Sequence, residues 1–173
     1  MQMSDTREIA APPSTVWAAL LDPEVLKACV PGCESMTGSP EAGFEAVVVQ
    51  KVGPVKARFT GVVTLSDIRR GESIKISGEG KGGPAGFAKG GATVTLAPAG
   101  AGTKLSYAVD ANVGGKIAQL GSRIIDGFAK KMADDFFSRF QEAVEGPAPE
   151  SVDAGAGEEA PAKKGWFKRL IGG

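Results

Sequence analysis

Residues 114–146 read GGKIAQLGSRIIDGFAKKMADDFFSRFQEAVEG, and their pattern decides the fold. Ile117, Leu120, Ile124, Phe128, Met132, Phe136, Phe140 and Val144 recur at a spacing of three and then fours, which gathers them on one face of a helix. Lys116, Arg123, Lys130, Lys131, Asp134 and Glu142 lie between them, mostly on the opposite side. No proline interrupts the run; Gly114-Gly115 precede it, and Gly146-Pro147 end it as a helix C-terminus should. A single helix over 117–144 would be on the order of 40 Å long. No other segment has a comparable period, so the stripe must be covered by something that is not a helix.

Strands supply the cover. Between residues 44 and 112 the apolar period becomes two. Phe44, Ala46, Val48, Gln50 and Val52 form one alternating set; Val55, Ala57, Phe59, Gly61, Val63 and Leu65 form the next, across a Gly53-Pro54 turn. Ile74/Ile76, Ala92/Val94/Leu96 and Leu105/Tyr107/Val109 alternate with polar neighbours, and the glycine-rich stretch 78–91 reads as turns. Upstream, residues 7–10 are a short candidate strand. Pro12-Pro13-Ser14 opens a helix, and Asp22-Pro23 opens a second over 24–28. An antiparallel sheet with one apolar face and a long helix with one apolar stripe solve each other's burial problem. The expected class is α+β: a helix-grip fold, with a curved antiparallel sheet around a long C-terminal helix and two short helices.

With 173 residues, 1–145 is large enough for one domain with a true core. Lys+Arg and Asp+Glu are 20 each, and no basic strip interleaved with aromatics runs through the body of the chain, so nucleic acid is set aside. The absence of histidine excludes a histidine acid–base, a Ser-His-Asp triad and a histidine metal site in this sequence. Neither a signal peptide nor an apolar run of membrane-spanning length is expected. Cys29 and Cys33 flank a Pro31-Gly32 turn; they cannot alone complete a tetrahedral zinc site, and buried structural thiols are favoured over a redox pair.

The inward set includes Ala46, Ala57, Gly61, Gly78 and Ala92. Small residues there leave an apolar cavity beneath the helix, unless Phe128, Met132 and Phe136 fill it as ordinary packing. The cavity is the favoured expectation. Its candidate ligand-binding residues are Phe44, Val48, Gln50, Phe59, Gly61, Phe87, Tyr107, Ile117, Leu120, Ile124 and Phe128. Gln50 and Tyr107 are the polar exceptions, to be satisfied by backbone or by a ligand carbonyl.

Residues 7–17 (REIAAPPSTVW), 22–33 (DPEVLKACVPGC), 52–61 (VGPVKARFTG) and 82–90 (GGPAGFAKG) resemble the CoxG family of carbon monoxide dehydrogenase subunits, in the START-like, helix-grip (SRPBCC) superfamily. The resemblance spans roughly residues 6–145. It implies a deep hydrophobic cavity and a role beside molybdenum CO dehydrogenase or a related hydroxylase, tying that enzyme to the membrane. It supplies no catalytic motif.

Residues 146–162 hold four acids and no base and read as a flexible linker. Residues 163–173 follow as a basic amphipathic tail, in which Trp166, Phe167, Leu170 and Ile171 share one arc, with Lys163, Lys164, Lys168 and Arg169 supplying charge. Membrane binding by these eight residues would be weak, reversible and peripheral; docking on a partner protein, or a merely solubilising end, is the alternative. The combined expectation is a non-catalytic carrier, cytoplasmic and peripheral at the inner face of the cell membrane. It has no covalently bound cofactor, and its cargo is a quinone or similar apolar lipid linking the dehydrogenase to the respiratory chain. The alternatives are a recruitment adaptor without a ligand, or a cyclase or hydratase. The last would need a paired acid and base, and the inward positions offer only Gln50 and Tyr107.

Overall fold

The structure, a computed structural model, describes residues 1–145. Seven strands form one antiparallel sheet in the order β1-β7-β6-β5-β4-β3-β2. They are β1 (Gln2–Ile9), β2 (Cys33–Ser39), β3 (Gly43–Val52), β4 (Val55–Arg69), β5 (Ser73–Lys81), β6 (Phe87–Ala99) and β7 (Gly102–Gly114). Two short helices, α1 (Pro13–Leu20) and α2 (Pro23–Cys29), join β1 to β2, and α3 (Ser122–Glu145) lies across the concave face. This is the helix-grip arrangement. Proline stands at the start of both short helices, and the Asp22 carboxylate caps α2 by accepting from the Glu24 N–H at 2.9 Å.

The chain departs from the sequence expectation at four places. The apolar stripe is not one helix: Lys116–Leu120 is a separate 3-10 turn, and α3 begins only at Ser122. Gly121, at φ 93°, makes the break, because it adopts a backbone conformation closed to most residues. The first strand starts at Gln2 rather than at residue 7 and pairs with β7 along its whole length. Strand β2 has no alternating pattern (CESMTGS) and owes its place to pairing with β3. Finally, Gly78, Gly80, Gly90 and Gly91 lie inside β5 and β6; of the stretch 78–91 only residues 82–86 turn the chain, around a 3-10 turn at Gly83–Ala85.

Register sorts the inward side chains by size. At one end of the sheet the cross-strand rows run Ile74–Val94–Tyr107 and Leu96–Leu105. Over them pack Phe137 and Phe140 of α3, with Ile9, Val16, Trp17 and Cys29, in a filled core. Tyr107 stacks on Phe137 with ring centroids 5.1 Å apart, and Phe136 stacks on Phe140 at 5.7 Å. The buried Thr103 hydroxyl is satisfied by donating to the Ala11 carbonyl at 2.7 Å. At the other end the rows become Gly61–Gly80–Ala88 and Val63–Gly78–Gly90–Ala111. The same helix that is gripped tightly at its C-terminal half therefore passes over nearly bare backbone at its N-terminal half.

A candidate apolar ligand cavity

The bare rows open a cavity of about 250 Å³ beneath the start of α3. Gln50 and Val52 of β3, Phe59 of β4, Gly80, Ala88 and Ala111 with Val113 form the sheet side. Ile117 of the 3-10 turn and Ile125, Phe128 and Ala129 of α3 form the roof, and Met1 closes one flank. The wall exposes apolar atoms only. The Gln50 amide nitrogen donates to the Pro31 carbonyl, and the side chain adds no polar surface to the exposed wall. An apolar wall of this kind offers water no hydrogen-bond partner and rewards an apolar occupant. Its volume is below the ~300–1,000 Å³ of common small-molecule sites. It suits a ring system or a short hydrocarbon segment, and a longer molecule must project through the rim.

Four expected wall residues reach the cavity: Gln50, Phe59, Ile117 and Phe128. The other seven lie elsewhere. Tyr107 is spent in the filled core against Phe137, and Phe44 is buried beside Val63. Val48 pairs with Phe59, and Gly61 with Gly80, outside the wall itself. Leu120 and Ile124 lie outside the wall, over the Gly53-Pro54 turn: the point a Cβ would occupy on Gly53 is 3.5 Å from Leu120 Cδ1 and 3.4 Å from Ile124 Cγ2. Phe87 covers Gly114 on the outer face and is 42% exposed. The wall residues missed by sequence reading include Gly80, Ala88 and Ala111. Their signal was parity, since each falls on the inward register of its strand, but glycine content disguised β5 and β6 as turns. Gly82 also shapes the wall, because a Cβ there would strike the Phe59 ring, and its absence lets that ring lie against the hollow.

Side-chain charge is kept off the wall, while the amino group of Met1 at its flank donates to the Ala111 carbonyl at 2.9 Å. No titratable side chain contributes to the wall. Arg7 of β1 reaches α3 instead, pairing with Asp134 at 2.6 Å while its guanidinium lies 5.1 Å from the Phe137 ring centre. Hydrogen bonds from Arg7 and then Lys130 hold the Asp134 carboxyl below its ordinary range. Burial pushes the Cys29 thiol up to about 11, which suits a core residue rather than a nucleophile. Cys33 is half-buried and donates to the Ser35 carbonyl at 3.2 Å; the two thiols are free. Among the described residues no cluster of three or more acidic or cysteine side chains could hold a metal ion. Nor is any described helix long and apolar enough to cross a membrane. A larger hollow, about 690 Å³, is an open saddle on the outer sheet face beside Lys75, Thr93 and Asp110, and it cannot exclude water. The expected membrane-binding tail, 163–171, lies outside the described residues.

Comparison with known proteins gives the same fold. The chain is similar to a conserved protein from Geobacillus kaustophilus at 30% identity, over 84% of this chain and 95% of that chain, with a TM-score of 0.78. It is also similar to a protein from Thermus thermophilus at 19% identity, over 84% of this chain and 97% of that chain, with a TM-score of 0.65. A protein from Chromobacterium violaceum is similar at 20% identity, over 84% and 97% of the two chains, with a TM-score of 0.62. The last two likenesses concern the fold alone. No curated protein matches the chain. The family model for the carbon monoxide dehydrogenase subunit CoxG matches residues 6–145, and the chain belongs to that family, whose name links it to carbon monoxide dehydrogenase.

Proposed function

We propose that this protein carries an apolar lipid, a quinone in the first instance, between the membrane and a molybdenum CO dehydrogenase or a related hydroxylase. The observation that carries the reading is the cavity of about 250 Å³ under α3, walled by apolar atoms alone. A quinone ring fits such a volume, and its isoprenoid chain would leave past Leu120 and Ile124. An electron carrier soluble only in lipid must be shielded from water while it visits a soluble enzyme, and an apolar hollow lowers that transfer cost. The protein's proposed part is carriage: the wall offers apolar contact, and the chemistry stays with the dehydrogenase. The tail at 163–171 would add a weak hold on the bilayer, from four bases and two aromatic residues.

Lipid extraction and mass spectrometry of the protein purified from its native host test the reading. A stoichiometric quinone or comparable lipid is expected; a folded, empty protein would sink it. A second reading, recruitment of the dehydrogenase without cargo, is favoured by the small size of the cavity. The Gly80→Leu variant separates the two, since filling the hollow abolishes carriage and leaves recruitment intact.

A further inference from the structure

The cavity lies toward the end of the molecule where three separate segments meet: Val52 of its wall adjoins the Gly53-Pro54 turn, and Ile117 belongs to the Lys116–Leu120 turn. The Gly53-Pro54 turn lies against Leu120 and Ile124, Gly82 lies against Phe59, and Gly115 lies against Gly86. These segments, residues 50–58, 80–90 and 111–125, carry Lys51, Lys56, Arg58, Lys81, Lys89, Lys116 and Arg123, with the acids Glu79, Asp110 and Asp126 at their borders and Glu79 paired across the sheet with Lys89. The chain has a formal net charge of zero, whereas at this end seven bases outnumber the three bordering acids. No continuous basic strip exists in the sequence; the fold assembles one. All seven bases are exposed. Among the described residues, only Arg58 of the seven is in an ion pair, with Glu34 at 3.3 Å.

Two of the largest exposed apolar side chains stand at this same end. Phe87 is 42% exposed, opposite Lys81 in the β5–β6 register, and Ile124 is 40% exposed, next to Arg123. They flank the Lys116–Leu120 turn, Phe87 over Gly114 before it and Ile124 beside Leu120 after it. Apolar tips within a collar of cations match an anionic bilayer, where bases lie at headgroup level and the tips reach the acyl boundary. A protein partner gathers its apolar contacts at the centre of a patch inside a polar rim, whereas here Phe87 and Ile124 stand apart on either side of the turn, among the bases.

We infer that the cavity end is itself a membrane-docking face, which seats that end of the molecule on anionic phospholipid independently of the 163–171 tail. Docking needs no cargo, so this inference stands or falls apart from the carrier reading, although it supplies that reading with a route for lipid entry.

The test uses the full chain, delipidated, and vesicles of phosphatidylcholine with or without phosphatidylglycerol. One variant reverses five collar charges (Lys51→Glu, Lys56→Glu, Lys81→Glu, Lys116→Glu, Arg123→Glu), another carries Phe87→Ser, and a third carries Trp166→Ala with Phe167→Ala in the tail. Each engaged base contributes about fivefold to partitioning, so with three of the five engaged the charge reversal is expected to weaken binding to anionic vesicles on the order of a hundredfold. Phe87→Ser weakens it less, and the tail variant retains salt-sensitive binding through the collar. Hydrogen exchange on vesicles should slow in 53–54, 83–87 and 116–124 and not around α1. Unchanged vesicle binding by the charge-reversed protein, with its thermal unfolding intact, overturns the inference. So does loss of binding only to purified CO dehydrogenase, which would assign the collar to an acidic protein. Lipid content measured in the same variants reports on the carrier reading separately.

Discussion

Gly61 of β4 and Gly80 of β5 face each other across the sheet, and the point a Cβ would occupy on Gly80 has no atom within 4 Å. That pair is where the helix loses its support, and it locates the hollow more directly than any large residue does. Neither glycine is at positive φ, so side chains can be added there without backbone strain.

Gly80→Leu is therefore expected to fill the cavity. It should raise stability by about 1–2 kcal/mol through apolar burial while removing any lipid that co-purifies with the protein. Urea denaturation alongside mass spectrometry of the extract checks both. A destabilised variant that keeps its lipid would show that the space is not where the structure puts it.

Two glycines near the start of α3 should respond with opposite sign. Gly121 sits at φ 93°, so Gly121→Ala is expected to cost about 1–2 kcal/mol. Gly127 lies inside the helix with nothing within 4 Å of its Cβ position, so Gly127→Ala should stabilise by up to about 1 kcal/mol. Thermal unfolding of the two variants compares them. Equal effects would mean that the helix does not break where described.

The Arg7–Asp134 pair predicts an acid limb. The Asp134 carboxyl is held below its unfolded value, first by the Arg7 hydrogen bond and then by Lys130. Its contribution is thus present above the unfolded carboxylate range, near about pH 4, and is lost as pH falls through the folded value. Asp134→Asn should flatten the stability profile below about pH 4 relative to the parent protein. Unfolding midpoints measured across that range give the comparison, and parallel curves would remove Asp134 from the account.

The cysteines should label in sequence. Cys29 is 1% exposed with its thiol pushed up to about 11, whereas Cys33 is only half-buried. Iodoacetamide at mildly alkaline pH is expected to modify Cys33 first, with Cys29 reacting only as the protein unfolds. Peptide mapping over time decides it; simultaneous labelling would mean that the α2 end opens readily.

The parts of the fold legible in advance are those where side chains carry the periodicity. Val55, Phe59, Val63 and Leu65 declare a strand, and Phe128, Phe136 and Phe140 declare a helix, because their spacing is the spacing of burial. Strand β2 was invisible because its neighbours, rather than its own residues, hold it in the sheet. Strands β5 and β6 were misread for a related reason: Gly78, Gly80 and Gly90 mark the inward register by having no side chain, and a missing side chain resembles a turn. Tyr107 was expected at the ligand and belongs to the core, since alternation reports which face a residue takes but not how far along the strand the hollow begins. The basic collar could not be seen in a linear reading, because its members come from three segments that only the fold brings together.

The backbone N–H of Ala10 donates to Glu145 at the last turn of α3, so the chain leaves the body at the end opposite the Gly53-Pro54 turn, one helix length of about 36 Å away. The stretch from 146 to 163 could at most extend to ~60 Å. A grip on the bilayer at 163–171 would thus keep the body captive within about 60 Å of the lipid surface. Confinement of that kind raises the local concentration of the cavity end at the surface to the millimolar range. Each landing can then be brief, and the body can rise and resettle many times without diffusing away.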